Sequence, residues 1–425
     1  MAADFSKFLS DELRVLAVEL FAELRRSSFD GVGITRESFG PAESAAQEMI
    51  ARVAAKESLA VECDRVRNLV VTLPGRDASK PFIATGSHLD SVPRGGNYDG
   101  AAGVVAGLLA LISLRRLGIQ PPRTIKLLAL RGEESAWFGK SWVGSHALFG
   151  LLTKADLARP RFDNGRPLRA YLMDVGADVH AIAHGEQLLD PQAVGAFVEV
   201  HIEQGPVLEA KKLPVGVVTS IYGNLRHMEI TCCGTAAHAG ATPRFLRRDA
   251  VVAVADYIMR LDRHWAQWLE SRKQLVITHG MLGTDPKEHA ISRVPGAARL
   301  SIEIRADDYE TLKGFHELVQ MEAGMVARER GVTFTFDEPI VNRPAPMDPG
   351  WMERLDELCG KAGIKHMRLA SGAGHDAAVF AHMGIPTAML FIRNANGSHN
   401  PHEHMEIDDF LVATQVLTEA LLLSD

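Results

Sequence analysis

Cysteine is scarce in this chain. Four residues, Cys63, Cys232, Cys233 and Cys359, are spread over 425 positions, and none forms a C-x-x-C pair. Cys232 and Cys233 would face opposite ways on a strand. The thiols fit the reduced state expected of a cytoplasmic protein. Long apolar runs are also missing. The longest, residues 101–114, falls short of the ~20 residues a membrane span needs. The first fourteen residues, MAADFSKFLSDELR, contain no apolar signal core. There is no excess of positive charge either. The formal net charge of −7 argues against nucleic acid or an anionic membrane as partner. Neither internal repeats nor low-complexity segments are evident. These absences leave the expectation of a soluble cytoplasmic protein. An apolar content of 46% and a charged content of 23% are ordinary for a globular chain. The length calls for two domains.

The chain is organised around residues 86–109, GSHLDSVPRGGNYDGAAGVVAGLL. A short apolar run, residues 81–85 (PFIAT), reads as a buried strand ending in His88-Leu89-Asp90. A glycine-rich turn then carries Asp99, and Gly100 opens an apolar helix. Imidazole and carboxylate are common ligands of zinc and manganese. Asp90 is placed to hydrogen-bond the far ring nitrogen of His88. Alone, this stretch is equally compatible with ordinary polar loop residues.

The order of elements bears on that choice. Helices are expected at 11–26, 43–59, 141–152, 349–362, 374–383 and 408–423. Buried strands are expected at 68–73, 124–130 (TIKLLAL), 196–200 and 386–392 (PTAMLFI), and a short one at 366–370. Residues 155–184 read as polar and irregular. Between them lies a segment of different texture: strand 226–232, loop 235–248, helix 249–261, strands 275–280 and 298–305, helix 309–330 and strand 332–336. Its β-α-β-β-α-β order is that of a ferredoxin-like sandwich. The expected fold is therefore α/β. A three-layer catalytic domain with a mostly parallel sheet, residues 1–217 and 338–425, is interrupted by an α+β domain at 218–337.

Four apolar strands share one feature: ligand-type residues begin where the strand stops. They are His88 with Asp99, Glu133 with Glu134, His201 with Glu203 and Gln204, and His399. In open α/β sheets, ligand sites lie outside the carboxyl ends of the strands. Parallel strands would bring these ends to one edge. The set is too rich for one closed structural zinc and suits a two-metal site, where ions ~3.5–4 Å apart share a bridging carboxylate and a bridging water. Adjacent Glu133 and Glu134 point apart on a turn, so one can bind metal while the other serves as general base.

At these residues the chain resembles the amidohydrolases that group N-carbamoyl-L-amino-acid hydrolase, allantoate amidohydrolase and β-ureidopropionase. These are relatives of the two-metal aminoacylases and carboxypeptidases. The markers are GSHLDSVPRGGNYDG, RGEES, HIEQGPVLE, GTAAHAGATP, SGAGHDA and GSHNPHE. HIEQG points to the carbamoylase-like branch, because it places His where many peptidase relatives place an acid.

The resemblance implies that His88 and His201 hold one divalent ion, and Glu134 and His399 the other, with Asp99 bridging. Zinc or manganese would be the metal, with cobalt or nickel as alternatives. It makes Glu133 the base and the inserted domain a lid and dimerisation domain, so that the protein is a homodimer. His238 would reach the partner subunit's site and stabilise an oxyanion. Gln204, Ser292, Arg305 and Gly372 match substrate-binding positions, with Arg305 gripping a substrate carboxylate.

Three positions depart from the family pattern. Ser292 replaces an asparagine, Trp137 an arginine, and His146 stands where GSR is frequent. Trp137 is expected as an apolar wall of the substrate cradle. The activity implied is hydrolysis of a linear C–N bond outside peptides, that of an N-carbamoyl-L-amino acid or a related allantoate- or ureidoglycolate-like acid, releasing ammonia and carbon dioxide. The alternatives are an N-acyl amino-acid hydrolase or dipeptidase on the same site, and a non-catalytic binding protein. The retained Glu133 argues against the last.

Overall fold

The computed structural model describes residues 11–422. Residues 1–10, part of the stretch without a signal core, and Leu423, at the end of the expected last helix, lie outside the described residues. No helix among the described residues is long and apolar enough to cross a membrane.

The chain forms two compact units, one up to Thr219 and from Met347 onward, the other Ser220–Pro346. The second unit runs past residue 337 because strand Ile340–Asn342 pairs antiparallel with Gly223–Cys233.

In the first unit the sheet order is Ala60–Cys63, Leu69–Leu73, Ile125–Leu130, Phe82–His88, Val194–Ile202, Thr387–Ile392, Val215–Ile221. The four strands from Ile125–Leu130 to Thr387–Ile392 are consecutive neighbours and run parallel. Their flanking neighbours, Leu69–Leu73 and Val215–Ile221, run antiparallel. The parallel four read as continuous apolar runs because both of their faces are covered.

Strand Val194–Ile202 shows how. Ala196, Val198, Val200 and Ile202 join the core with helix Ala101–Arg116, while Phe197, one position out of phase, stacks on Phe380 at 3.9 Å. Phe380 belongs to helix Asp376–His382 on the other face. Every residue of 101–114 is buried, as suits a helix apolar all round. Gly103 permits its close approach, since a Cβ there would lie 2.0 Å from the Val200 carbonyl oxygen.

The second unit orders its strands Leu275–Thr278, Ala297–Ala306, Gly223–Cys233, Thr333–Phe336, all antiparallel. Helices Ala250–Glu270 and Tyr309–Arg330 pack on this sheet around Tyr257 and Phe315. This is the ferredoxin-like arrangement that the element order suggested.

Local departures have local causes. Residues 155–184, expected to be irregular, hold two short helices, Leu168–Asp174 and Val179–Ala183, and Lys154–Leu157 precedes them. Each spans at most two turns, too few for an apolar period to show. The last is fixed by a capping box between Thr153 and Asp156. The helix expected at 141–152 contracts to Val143–Leu148. The edge strand Ala60–Cys63 is largely exposed and carries no apolar signal.

His146 lies on that short helix with its Nδ1 buried and unpartnered. Burial, helped by the nearby Lys140 charge, lowers its pKa from 6.5 to about 3. The unfolded chain therefore binds a proton that the fold refuses between these values. Stability should be full above pH 6.5 and decline as pH falls toward 3. Denaturant midpoints of chelator-treated protein at pH 7 and pH 4 test this. His146→Gln should lose less stability over that interval than the wild type, and equal losses would remove His146 as a cause.

Candidate metal centre

The four parallel strands end on one edge of their sheet, and the side chains beyond those ends converge. His88 closes its strand with its ring 2% exposed. Its Nδ1 lies 3.0 Å from the Asp90 carbonyl oxygen, and the His201 Nδ1 lies 2.8 Å from the Ile202 carbonyl. A carbonyl only accepts, so in each ring Nδ1 carries a proton, and Nε2 is the nitrogen that can take a metal once it gives up its own. Both Nε2 atoms face Asp99, at 3.5 Å from His88 and 3.2 Å from His201. The other Asp99 oxygen, Oδ2, lies 3.4 Å from His399 Nε2. His399 Nε2 is also 3.5 Å from Glu134 Oε1. One carboxylate thus stands between two sets, His88–Asp99–His201 and Asp99–Glu134–His399. In each set the ligand atoms lie within 4.8 Å of one another.

Gly100 makes this possible. Its φ is +65°, and a Cβ would sit 2.4 Å from the His88 ring.

Two features of the donors fit a cation. Glu134 Oε1 is buried without a hydrogen-bond partner. Asp99, Glu133 and Glu134 are all buried, and buried carboxylates require compensating charge. Their titration follows. Burial drives Glu133 well above the usual carboxylate range, reinforced by Glu134, Asp376 and Asp90. Burial and Asp99 raise Glu134 to about 7. Burial also pushes Asp99 upward, but the hydrogen bonds of His201, His399 and His88 outweigh it and hold its carboxyl well below the usual range. His399 is raised to about 9, chiefly by its bond to Asp99. A third group, Glu199, His201 and His375, has the right residue types. It fits less well, because Glu199 already accepts from Ser87 and Ala377, and His375 Nε2 meets the Ser371 hydroxyl at 2.8 Å.

The supports differ from expectation in one respect. The Asp90 carboxylate is not the main partner of His88, whose Nδ1 it approaches only to 3.4 Å. It accepts instead from the backbone N–H groups of Glu133 and Glu134, each at 3.1 Å, and from the Ser38 hydroxyl. It therefore ties the second strand's acidic pair to the first strand's histidine. Glu403, the last residue of GSHNPHE, plays a matching part. Its carboxylate accepts from Tyr98 N and Asp99 N and meets the Ser398 hydroxyl, whose single proton is shared between it and Asp99. Glu43 accepts from Gly132 N and pairs with buried Arg131, just before the acidic pair. The position of Glu403 within a marker was the only hint in the sequence. Glu43 gave none, since a buried acid on a helix looks like any helical glutamate.

Trp137 is not a wall of the site. Its ring is 3% exposed, its Nε1 donates to the Ser91 carbonyl, and the Arg161 guanidinium covers it at 4.6 Å. Gln204, at φ 62°, donates from Nε2 to Asp99 Oδ2 at 2.8 Å, while its Oε1 is buried without a partner. Gly372 lies between strand His366–Ser371 and helix Asp376–His382, close in the chain to His375.

The remaining expected residues sit in the second unit. His238, on the two-residue strand Ala237–His238, is exposed, and its Nδ1 accepts from Gly240 N and Ala241 N. That leaves the proton on Nε2 as an outward donor. The Ser292 carbonyl accepts from Ala239 N at 2.7 Å, so Ser292 is held beside His238. Arg305 lies on strand Ala297–Ala306 and forms an ion pair with Glu303 at 3.1 Å.

Residues 84–423 match the model of Peptidase family M20/M25/M40. The chain belongs to this family. Among M20/M25/M40 relatives, it is 33% identical over 396 residues to an allantoate amidohydrolase of Escherichia coli, covering 92% of each chain. It is 31% identical over 403 residues to an N-carbamoyl-L-amino-acid amidohydrolase of Paenarthrobacter aurescens, covering 94% of this chain and 95% of the relative. Its fold matches the crystal structure of a hydantoinase/carbamoylase family amidase from Burkholderia multivorans. The TM-score is 0.87, with 28% identity over 97% of both chains.

Gly100→Ala should lower the content of bound divalent metal without altering any candidate ligand, because the added methyl displaces the His88 ring. Elemental analysis of the purified variant after saturation with zinc or manganese measures this. Wild-type content would show that His88 need not occupy its observed place.

Proposed function

We propose that this protein hydrolyses the ureido group of an N-carbamoyl-L-amino acid or a related ureido acid, releasing ammonia and carbon dioxide. The coarser statement rests on its family and relatives: it is a hydrolase of linear carbon–nitrogen bonds other than peptide bonds. The finer reading is supported by the relatives, which include an N-carbamoyl-L-amino-acid amidohydrolase and an allantoate amidohydrolase, and the hydrolytic chemistry by the position of Asp99 between two donor sets with buried Glu133 beside them. His88, Asp99 and His201 would hold one divalent ion, and Asp99, Glu134 and His399 a second. Such ions, when bound, supply Lewis acidity toward a carbonyl and lower the pKa of water.

The protein's own groups do the rest. Glu133 Oε2, 3.9 Å from His88 Nε2, faces the donor cluster and is the acceptor for the proton of the attacking water. The same oxygen returns the proton to the leaving nitrogen. His238, a donor through Nε2, stabilises the oxyanion in the partner subunit of a homodimer joined through the second unit. Arg305 offers a fork for the substrate carboxylate, and its ion pair with Glu303 holds that fork in place. Ser292 gives the cradle one hydroxyl in place of an amide, favouring a bulkier or differently functionalised side chain.

An ammonia-release screen of carbamoyl, ureido and acyl compounds, with added zinc, manganese or cobalt, tests the proposal. N-carbamoyl or ureido acids should release ammonia, and the corresponding amides, lacking the carboxylate, should be far poorer. Glu133→Gln should lower kcat by about 10²–10⁴-fold, the usual contribution of general acid–base catalysis, while keeping its metal. Turnover of N-acyl compounds alone would replace the ureido reading with an acylase. Loss of an ion in Glu133→Gln would exchange the roles of Glu133 and Glu134.

A second test concerns the dimer. Glu133→Gln and His238→Ala homodimers should both be inactive, and mixed dimers should regain one working site. Inactive mixtures in which subunit exchange is demonstrated by mass spectrometry would show that His238 does not act in the partner.

A further inference from the structure

Trp142 stands nine residues after Glu133 and is half-buried. Its indole Nε1 donates to Glu133 Oε1 at 2.8 Å, and its backbone N donates to the Glu133 carbonyl at 2.9 Å. The next two residues continue the pairing, Val143 N to the Gly132 carbonyl and Gly144 N to the Arg131 carbonyl. Trp142 itself has φ 61° and ψ 36°, a left-handed conformation rare for a bulky residue. Such outliers persist where the surroundings over-determine them, and they cluster at functional sites. Two things hold this one. The backbone ladder fixes its start, and Gly374 leaves room for the ring, since a Cβ there would meet the indole at 2.5 Å.

We propose that Trp142 is a positioning residue for Glu133, one that decides which carboxylate oxygen carries the proton. The inference rests on the reading of Glu133 as the proton carrier. A glutamate carboxylate rotates in a broad, shallow well about its last torsion. The indole N–H is a donor only. By occupying Oε1 it opposes that rotation, and a proton on Oε1 would weaken the bond, because the hydroxyl oxygen of a carboxylic acid is a poorer acceptor than its carbonyl oxygen. The proton is thus favoured on Oε2, the oxygen that faces His88 and the donor cluster. A carboxylate free to turn would spend part of its time with the proton pointing away.

Trp142→Phe keeps an aromatic ring at the left-handed position and deletes the N–H. With the best substrate of the screen it should lower kcat 10–100-fold, with KM and metal content within twofold of wild type. A second readout does not depend on activity. The chain has five tryptophans, so ¹⁵N-labelled protein shows five indole resonances. The one missing in Trp142→Phe identifies Trp142, and it should move upfield in Glu133→Ala, where the acceptor is gone. A stationary resonance would show that the bond is absent in solution. A kcat within twofold of wild type would show that the bond positions nothing. A fall in metal content parallel to activity would make Trp142 structural. Each of these results overturns the proposal. Failure of the ureido reading looks different: wild-type enzyme releases no ammonia from any carbamoyl compound, whereas the indole shift and the turnover of another C–N substrate still decide on Trp142.

Discussion

A single buried carboxylate is the constraint on which the site depends. Asp99 turns one oxygen to His88 and His201 and the other to His399. It can do so only because the chain reverses tightly at Gly100, whose missing side chain lets the His88 ring lie against the backbone. Three histidines outweigh the cost of burying its charge, and its depressed pKa records that balance. Without them, a carboxylate at this depth would be protonated and would neither orient the rings nor attract a cation.

The surroundings form a graded set of buried charges that fix backbone before they fix side chains. Asp90 grips the amides of Glu133 and Glu134, Glu403 grips those of Tyr98 and Asp99, and Glu43 grips that of Gly132. Each links two segments far apart in sequence. A carboxylate accepting backbone N–H bonds is a rigid splint, because its partners cannot change rotamer. The acidic pair and the bridging aspartate therefore sit on backbone held in place from outside their own strands. Trp142 extends the same logic to a side chain, since its indole reaches the carboxylate whose peptide its own backbone already binds.

The second unit is built on other principles. Its sheet is wholly antiparallel, its core is separate, and His238 and Ser292 are set side by side by a two-residue ladder. The exposed His238 ring has its tautomer fixed by two backbone donors.

The sequence alone determined a great deal. The apolar runs before His88, Glu133, His201 and His399 identified four strands, and ligand chemistry at each strand end implied one cleft. That inference works because continuous apolar strands are covered on both faces and pair in parallel, and parallel strands share an edge. The alternation of strand and helix at both ends, and the β-α-β-β-α-β order between them, gave the architecture. What the sequence could not carry was anything requiring a partner distant in the chain. Asp90 supports His88, two residues away, through its carbonyl, but its carboxylate also serves amides more than forty residues on. Trp137 is a buried prop under Arg161 rather than a cleft wall. Trp142 carries no local signal, because an aromatic at a helix start signals packing, and only its left-handed backbone and the acceptor at its Nε1 distinguish it. Strand identity is written in local periodicity. Hydrogen-bond partners across the fold are not, because direction and distance exist only once the chain has closed on itself.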